Sequence, residues 1–242
     1  MDIGYNYEEW QFEGRRAVLV KPDCEANGKW AVYTEYFWAF PDTAIELLER
    51  GWHVAFLENI NRWGLEADQE ARHRFCAYLH KKYGLADKCV PIGMSCGGLH
   101  AVKYAGMYPQ DIAMLYLDAP VLNLLSCPMK FGKGEARPDW VRECLDALQM
   151  TESDMIGYRR HPLDYIPILV ENKIPVLMIY GDIDEEVYYS ENGFLLENAY
   201  RKAGVPIHVI CKEGCGHHPH GLENPAVAAD HIEKLYENDA CI

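Results

Sequence analysis

Short apolar segments alternate along the chain with longer segments in which apolar residues recur every three or four positions. The first pattern predicts buried strands, and the second predicts amphipathic helices. Strands are predicted at residues 8–12, 16–21, 53–57, 89–94, 112–117, 175–180 and 207–211. Helices are predicted at residues 43–50, 65–83, 96–107, 191–203 and 225–237. The first two strands meet around Glu13 and Gly14, which is typical of a hairpin. The later alternation indicates an α/β fold with a mostly parallel central sheet and helices on both faces.

One region departs from this alternation. Residues 119–162 contain no predicted strand, although they carry Met129, Phe131 and Trp140. In an open α/β sheet, an insertion at this place follows the carboxyl end of a strand, where ligands bind. We therefore expect a small lid or substrate wall here. A surface helix pair without substrate contact is the alternative.

The bulk composition restricts the classes of function. A chain of 242 residues, 49% of them hydrophobic, can fill one large core, so a single domain over residues 1–242 is expected. The formal net charge of −14, without a stripe of Lys and Arg, argues against nucleic acid as a partner. No apolar stretch approaches the roughly 18 residues of a membrane span, so no membrane association is expected.

Cysteine usage and the N-terminal residues favour a cytoplasmic location. The nine cysteines are odd in number and scattered, as is typical of reduced thiols. Residues 1–5 lack a basic segment followed by an apolar run, so no secretory signal is expected.

The segment Gly93-Met94-Ser95-Cys96-Gly97 carries the most specific chemical signal of the chain. A predicted strand precedes it and a predicted helix follows it, which is the setting in which a serine becomes a nucleophile. The turn must be so sharp that positions two before and two after Ser95 cannot hold large side chains. It strains the backbone of Ser95 and points the amide of Cys96 at a forming oxyanion. An incidental serine in a tight turn is the alternative. The Cys96 thiol could also be proposed as the nucleophile, but Cys96 lies one residue after the central position of the motif, which Ser95 occupies.

A nucleophilic serine needs a base that accepts its proton. After the strand predicted at residues 207–211, His217, His218 and His220 lie within four residues of one another. His217 is predicted as the base, because Gly216 before it allows a close approach. His218 and His220 are the alternatives, and otherwise they shape the loop through hydrogen bonds.

The base in turn needs an acid that orients it. After the preceding strand the chain reads Gly181-Asp182-Ile183-Asp184. Asp184 is predicted as the acid, because the turn can be completed before its carboxylate faces the histidine. Asp182 is expected to cap the turn. Asp118, at the end of an earlier strand, is the alternative acid.

The histidine loop also supports a metal hypothesis. Cys211, Cys215 and the three histidines are residue types that bind zinc. Cys211 is expected to lie within a strand, however, and the two-residue spacings common in structural zinc sites are missing. No metal site and no cofactor are therefore predicted.

Four segments together carry a resemblance to a known family, namely residues 93–99 (GMSCGGL), 118–121 (DAPV), 180–187 (YGDIDEEV) and 214–222 (GCGHHPHGL). The chain resembles the α/β-hydrolase superfamily over nearly its whole length. Within it, the chain is similar to bacterial single-domain hydrolases of the prolyl-oligopeptidase and acetyl-esterase type. The resemblance implies the α/β-hydrolase fold, with Ser95 as nucleophile, Asp184 as acid and His217 as base, in the family's order along the chain.

The resemblance also implies an oxyanion hole shared between the amide of Cys96 and an amide in the loop after the early strand at residues 17–21. Many members carry His-Gly-Gly-like residues there, whereas residues 21–31 of this chain read KPDCEANGKWA. The amide near Trp30 is predicted as the second donor. A place in a pocket wall or in the core is the alternative role of Trp30.

The sequence thus predicts a serine hydrolase that cleaves small carboxylic esters, with acylated sugars among the candidate substrates. A serine exopeptidase is one alternative, in which Glu25, Glu35 or Glu185 would hold the free amine of a peptide. A non-catalytic binding protein on a hydrolase fold is another. The sequence does not indicate the acyl group, the alcohol or the oligomeric state.

Overall fold

The central element of the protein is one eight-stranded sheet, in a computed structural model that describes residues 3–239. The strands are β1 (Tyr7–Phe12), β2 (Arg15–Val20), β3 (Trp30–Tyr33), β4 (His53–Leu57), β5 (Val90–Met94), β6 (Leu115–Asp118), β7 (Val176–Gly181) and β8 (Ile207–Lys212). They lie in the order β1-β2-β4-β3-β5-β6-β7-β8. Strand β2 pairs antiparallel with both neighbours, and the other pairs are parallel. The mostly parallel sheet that the sequence predicts is therefore confirmed.

Helices cover both faces of this sheet. They are α1 (Asp42–Glu49), α2 (Glu66–Tyr83), α3 (Cys96–Met107), α4 (Pro138–Leu148), α5 (Glu152–Gly157), α6 (Ile166–Glu171), α7 (Gly193–Ala203) and α8 (Pro225–Asp239). Helices α1 and α8 pack on one face, and α2, α3, α6 and α7 pack on the other. Among residues 3–239, no helix combines the length and the apolar character that crossing a membrane requires.

The alternation of side chains along each strand produces the two apolar layers. In β2, Ala17 and Leu19 belong to the layer with α2 and α3, whereas Val18 and Val20 belong to the layer with α1 and α8. Successive side chains of a strand point to opposite faces, so a strand covered on both faces must be apolar at every position. This requirement explains the short unbroken apolar segments in the sequence.

Strand β3 was not among the strands predicted from the sequence. Its four residues, Trp30–Tyr33, are all buried, and it lies between β4 and β5. The Trp30 ring nitrogen donates a hydrogen bond of 2.9 Å to the carbonyl of Ala86, and the ring lies in the apolar layer. A four-residue apolar run is too short for periodicity to identify, so residues 21–31 were interpreted as one loop.

The insertion at residues 119–162 contains no strand among its residues, as predicted, and holds α4 and α5. Its buried side chains, among them Cys127, Cys144 and Met155, form a third apolar cluster with Leu99 of α3. The insertion is therefore packed over the start of α3, directly after Ser95.

Candidate active site

Parallel pairing brings the ends of three strands to one edge of the sheet. Strand β5 ends at Met94 and is followed by Ser95, while β7 and β8 precede the loops with Asp184 and His217. The register pairs Met94 with Asp118 of β6, and Asp118 with Ile179 of β7. Because neighbouring parallel strands end together, their following loops converge on one place.

The turn after β5 holds Ser95 in a backbone conformation that is unusual for a residue with a side chain. Its φ is 50° and its ψ is −121°. The strain is expected where a strand reverses directly into a helix, and it presents the Ser95 side chain at the sheet edge. Both carbonyl and amide of Ser95 are fixed, since its amide donates to Asp118 and its carbonyl accepts from Gly98 and Val121.

Glycines around this turn allow α3 to pack closely on its neighbours. A Cβ atom on Gly98 would lie 2.3 Å from the Cβ and 2.7 Å from the Cα of Pro120. A Cβ atom on Gly93 would lie 2.8 Å from the Cα of Gly98. The residue type at these positions is thus dictated by contact with backbone, as the sequence motif implies.

We expect Gly98→Ala to lower the free energy of unfolding by about 1–3 kcal/mol, because the added methyl group overlaps Pro120. Gly157→Ala is the matched control, since nothing lies within 4 Å of its Cβ position and alanine gains up to about 1 kcal/mol in a helix. Urea denaturation of both variants measures the difference. Equal stability of the two variants would show that α3 shifts at little cost.

The three predicted side chains form one chain of hydrogen bonds. The Ser95 Oγ lies 3.0 Å from the His217 Nε2, and the His217 Nδ1 lies 2.8 Å from the Asp184 Oδ2. The side chains of His217 and Asp184 are only 6% and 2% exposed, so water does not compete for their bond. The amides of Glu186 and Val187 both donate to the Asp184 Oδ1 at 2.9 Å.

The Asp184 carboxylate is stabilised in its charged form. Burial by itself would raise its pKa, but the hydrogen bond and charge of His217, with the amides of Val187 and Glu186, outweigh burial. The net result is a pKa below the ordinary value of an aspartate. A charged acceptor therefore faces the His217 Nδ1, which favours the tautomer with the proton on Nδ1 and a lone pair on Nε2 toward Ser95.

The alternative acid and one alternative base form a separate pair. The His220 Nδ1 lies 3.0 Å from the Asp118 Oδ1, and the amide of Gly221 donates to the other carboxylate oxygen of Asp118. Asp118 thus contacts His220 rather than His217. Asp182, expected to cap its own turn, instead accepts a 2.7 Å hydrogen bond from the amide of Gly214 in the histidine loop.

The two residues predicted as oxyanion donors, Cys96 and Trp30, lie at different places relative to Ser95. Cys96 is the first residue of α3, next to Ser95, and burial raises the pKa of its thiol to about 11. Trp30 is wrong as a donor. Its neighbour Ala31 pairs with Val90, so Trp30 lies level with Cys89, six residues before Ser95, at the amino end of the parallel strands and roughly 20 Å from Ser95. The error follows from the unrecognised β3, because the loop that faces Ser95 begins after Tyr33.

That loop contributes Tyr36, which the sequence reasoning did not identify. Tyr36 has a positive φ of 51°, and its side chain lies near the Cys96 thiol and the Arg62 guanidinium. Burial raises the pKa of Tyr36, so the phenol stays neutral. If β3 had been recognised in the sequence, the loop that begins after Tyr33 would have been identified as the one facing Ser95, and Tyr36 lies in that loop.

A cavity of about 300 Å³ opens over Ser95, and residues from three parts of the chain line it. Tyr36 and Phe40 come from the loop after β3, and Trp140 comes from the insertion. The Trp140 ring is held between two guanidinium groups, with Arg62 at 5.1 Å and Arg137 at 4.2 Å from the ring centroid. The insertion therefore forms one wall of the cavity, as a substrate wall would.

A second cavity of about 460 Å³ adjoins the first and shares Arg137, Trp140, Glu186, His217 and His218 with it. Its other lining residues include Lys130, Glu135 and Glu185. Arg137 donates to Glu186 at 2.8 Å. Charged side chains of both signs thus surround the outer space, whereas the space next to Ser95 adds the aromatic side chains of Tyr36 and Phe40.

The carboxylates considered for a peptide amine lie in different places. Glu185 lines the second cavity. Glu35 instead accepts a hydrogen bond of 2.8 Å from the Asn59 side chain and lies 3.8 Å from the His100 ring. Glu25 is exposed in the loop before β3.

Comparisons with known proteins agree on the architecture. No protein-family model and no curated protein sequence matches the chain. Among solved structures, it is similar to a puromycin-hydrolyzing peptidase of Mycobacterium tuberculosis, with a TM-score of 0.71, 16% identity, and 97% of this chain and 39% of that chain covered.

Two further similar structures match along nearly their whole length. One is an S-formylglutathione hydrolase from Staphylococcus aureus, with a TM-score of 0.65, 13% identity, and 97% of this chain and 98% of that chain covered. The other is an alpha/beta hydrolase enzyme from a lagoon-sediment metagenome, with a TM-score of 0.59, 15% identity, and 96% and 98% covered. The strand order, the turn at Ser95 and these likenesses lead to one conclusion: the chain has the α/β-hydrolase fold.

Proposed function

We propose that the protein is a serine hydrolase that cleaves small carboxylic esters. The hydrogen-bonded chain from Ser95 through His217 to Asp184 is the observation that carries this proposal. In the proposed reaction, the His217 Nε2 takes the Ser95 proton while the Ser95 Oγ attacks the ester carbonyl. The alcohol leaves with the proton from His217, and water then cleaves the acyl-serine by the same route. Asp184 holds the ring and offsets its transient positive charge.

The oxyanion of the tetrahedral intermediate needs two donors next to the Ser95 Oγ. We assign one to the amide of Cys96 and the other to the amide of Tyr36. Tyr36 lines the cavity with Ser95, and its side chain packs against the cluster that contains Cys96, which supports a position beside the first donor. The buried Cys96 thiol has a raised pKa, which argues against a competing thiolate nucleophile.

Two observations support small esters as the substrate class. The cavity over Ser95, at about 300 Å³, is at the lower end of the range of ligand sites, roughly 300–1,000 Å³. The second observation is the similarity to an S-formylglutathione hydrolase, which this chain matches along nearly its whole length. The outer cavity, with its polar side chains, would accommodate the alcohol part, which suits an acylated sugar as well as a simple alcohol.

A serine exopeptidase is the second candidate. The carboxylates of Glu135 and Glu185 line the outer cavity, where the free amine of a peptide could be bound. The similar M. tuberculosis peptidase favours this candidate, although the present chain spans 39% of that chain. A non-catalytic binding protein is disfavoured by the complete hydrogen-bonded chain.

A substrate panel distinguishes these candidates. We expect p-nitrophenyl acetate to be hydrolysed with a kcat/KM roughly tenfold or more above that of the octanoate, since each methylene that does not fit costs about 1–3 kcal/mol. Aminoacyl p-nitroanilides should be turned over far more slowly. Faster cleavage of the anilides would select the exopeptidase, and inactivity on both, with no labelling by a fluorophosphonate, would select the binding protein.

We also propose a cytoplasmic protein that requires no cofactor and binds no nucleic acid. All eight cysteines within residues 3–239 are free, and six of them are buried or half-buried, namely Cys76, Cys89, Cys96, Cys127, Cys144 and Cys215. Thiols persist in a reducing compartment, which supports this location.

A further inference from the structure

Three histidines form a compact group at the cavity next to Ser95. The ring centroids of His217, His218 and His220 are 4.9, 5.0 and 5.0 Å apart, which is nearly an equilateral triangle. A ring nitrogen of each lies within 4.8 Å of a ring nitrogen of the other two. All three rings line the same cavity of about 300 Å³, so a small ion can reach them.

Buried carboxylates already orient two of these rings as a metal requires. The His217 Nδ1 bonds to Asp184 and the His220 Nδ1 bonds to Asp118, at 2.8 and 3.0 Å. A carboxylate on Nδ1 places the proton there and leaves a lone pair on Nε2, the arrangement in which histidines bind zinc. The aspartates thereby fix the directions of the His217 and His220 rings.

The third ring is His218, the exposed member of the group. It stacks on Phe40, with ring centroids 5.7 Å apart. It also lines the cavity over Ser95, so an ion that enters from solvent can reach this ring.

We propose that His217, His218 and His220 together bind a zinc-type divalent ion, and that this ion inhibits the enzyme. Zinc takes three imidazoles and a water at about 2.0–2.1 Å, so the ligand nitrogens must approach to roughly 3.3 Å by small ring rotations. The ion occupies the His217 Nε2 lone pair, which then cannot accept the Ser95 proton. The ion is held by coordination alone, and no covalent bond of the protein is made or broken. The binding stands on geometry alone, whereas the inhibition rests on the proposed function.

This site differs from the zinc site that the sequence suggested. Cys211 lies within β8, and the donors that come together are the three imidazoles. The ion is here an inhibitor that competes with the base and is not a cofactor.

The test measures zinc binding directly and inhibition separately. Wild-type protein is titrated with zinc against a chromophoric chelator, and cobalt is used as a spectroscopic probe of tetrahedral coordination. We expect one bound ion per chain and reversal of ester-hydrolysis inhibition by EDTA. His218→Gln should weaken zinc binding and inhibition by roughly tenfold or more, since loss of even an outer partner of a zinc-bound histidine costs about 10–100-fold. Inhibition is scored against each variant's own metal-free rate.

His231→Gln is the matched control. His231 stacks on His208, with centroids 3.8 Å apart, on a pair outside the active-site cavity. Its loss should leave the affinity for zinc unchanged. The proposal is overturned if no saturable binding occurs, or if His218→Gln binds zinc as tightly as the wild type. Single-ion binding that depends on His218, in a protein without ester hydrolysis, would uphold the metal site and reject the proposed function.

Discussion

Ser95→Ala is expected to lower kcat/KM for p-nitrophenyl acetate by about 10⁴-fold or more. The substitution removes the one oxygen that lies 3.0 Å from the His217 Nε2, so the base has no nucleophile to deprotonate. What remains is attack by water in a cavity that still holds the oxyanion donors. Initial rates at several substrate concentrations, corrected for spontaneous hydrolysis, measure the effect.

Two controls separate chemistry from folding in this experiment. A fluorophosphonate should add its mass once to the wild type and not to Ser95→Ala. Ser95→Gly should be equally inactive but more stable than Ser95→Ala by about 1 kcal/mol, because glycine adopts a φ of 50° without strain. Retention of the wild-type rate by both variants would move the nucleophile elsewhere and end the proposal.

The elements around Ser95, Asp184 and His217 could be predicted because Ser95 directly follows a strand and the other two lie in the loops that follow strands. The signal is local: β5 is an apolar segment, and the turn after it is crowded at its glycines, Gly93, Gly97 and Gly98. Once three such strands are taken to be parallel, their following loops meet without further information. The sequence therefore indicated which side chains would be neighbours, although these lie up to 122 positions apart.

The loop that faces Ser95 could not be predicted, because its position depends on a strand of four residues. Strand β3 lies between β4 and β5, and it is recognised from pairing rather than from its own sequence. Without β3, the chain from residue 21 onward was interpreted as the loop facing Ser95, and Trp30 was assigned to the site. With β3 present, the facing loop starts at Thr34, whose hydroxyl donates to the carbonyl of Gly97 in α3.

The insertion was expected to form a lid or substrate wall, but the side-chain contacts that build the cavity wall were not predicted. Trp140 was noted within the insertion, but its place depends on contacts with Arg62 and Arg137, which come from separate segments. Arg62 in turn donates to Glu143, one turn of α4 after Trp140. Such contacts arise from how α4 packs over the start of α3, and no local pattern reports that packing.

The choice between Asp118 and Asp184 as the acid illustrates a different limit on what the sequence can predict. Both aspartates follow strands at the same sheet edge, and both carboxylates bond to a histidine of the same loop. The sequence predicted Asp184 as the acid for His217 and kept Asp118 and His220 only as alternatives, so the second pair, Asp118 with His220, was not predicted. Pairing depends on the path of residues 217–221, which brings His217 to Asp184 and both His220 and Gly221 to Asp118.

Asp184→Asn is expected to lower kcat by about 10³–10⁴-fold while the fold is retained. The two amides of Glu186 and Val187 point at the Oδ1 position, so they select the carbonyl oxygen of an asparagine there. The amide NH₂ then faces the His217 Nδ1 and donates to it. The imidazole must carry its proton on Nε2, and in that tautomer it cannot accept the proton of Ser95.

Asp182→Asn is the matched control, since it makes the same chemical change two residues away. Asp182 accepts one hydrogen bond from Gly214, and an asparagine oxygen can accept it equally well. Surface substitutions of this kind usually alter stability by no more than about 0.5 kcal/mol, so the loop should keep its structure. We therefore expect kcat within about threefold of the wild type for this variant. If instead Asp182→Asn and Asp118→Asn each lost as much activity as Asp184→Asn, the effect would be loss of loop structure. A loss confined to Asp184→Asn, with a ring tautomer altered in the ¹⁵N spectrum of His217, is the outcome that an orienting acid requires.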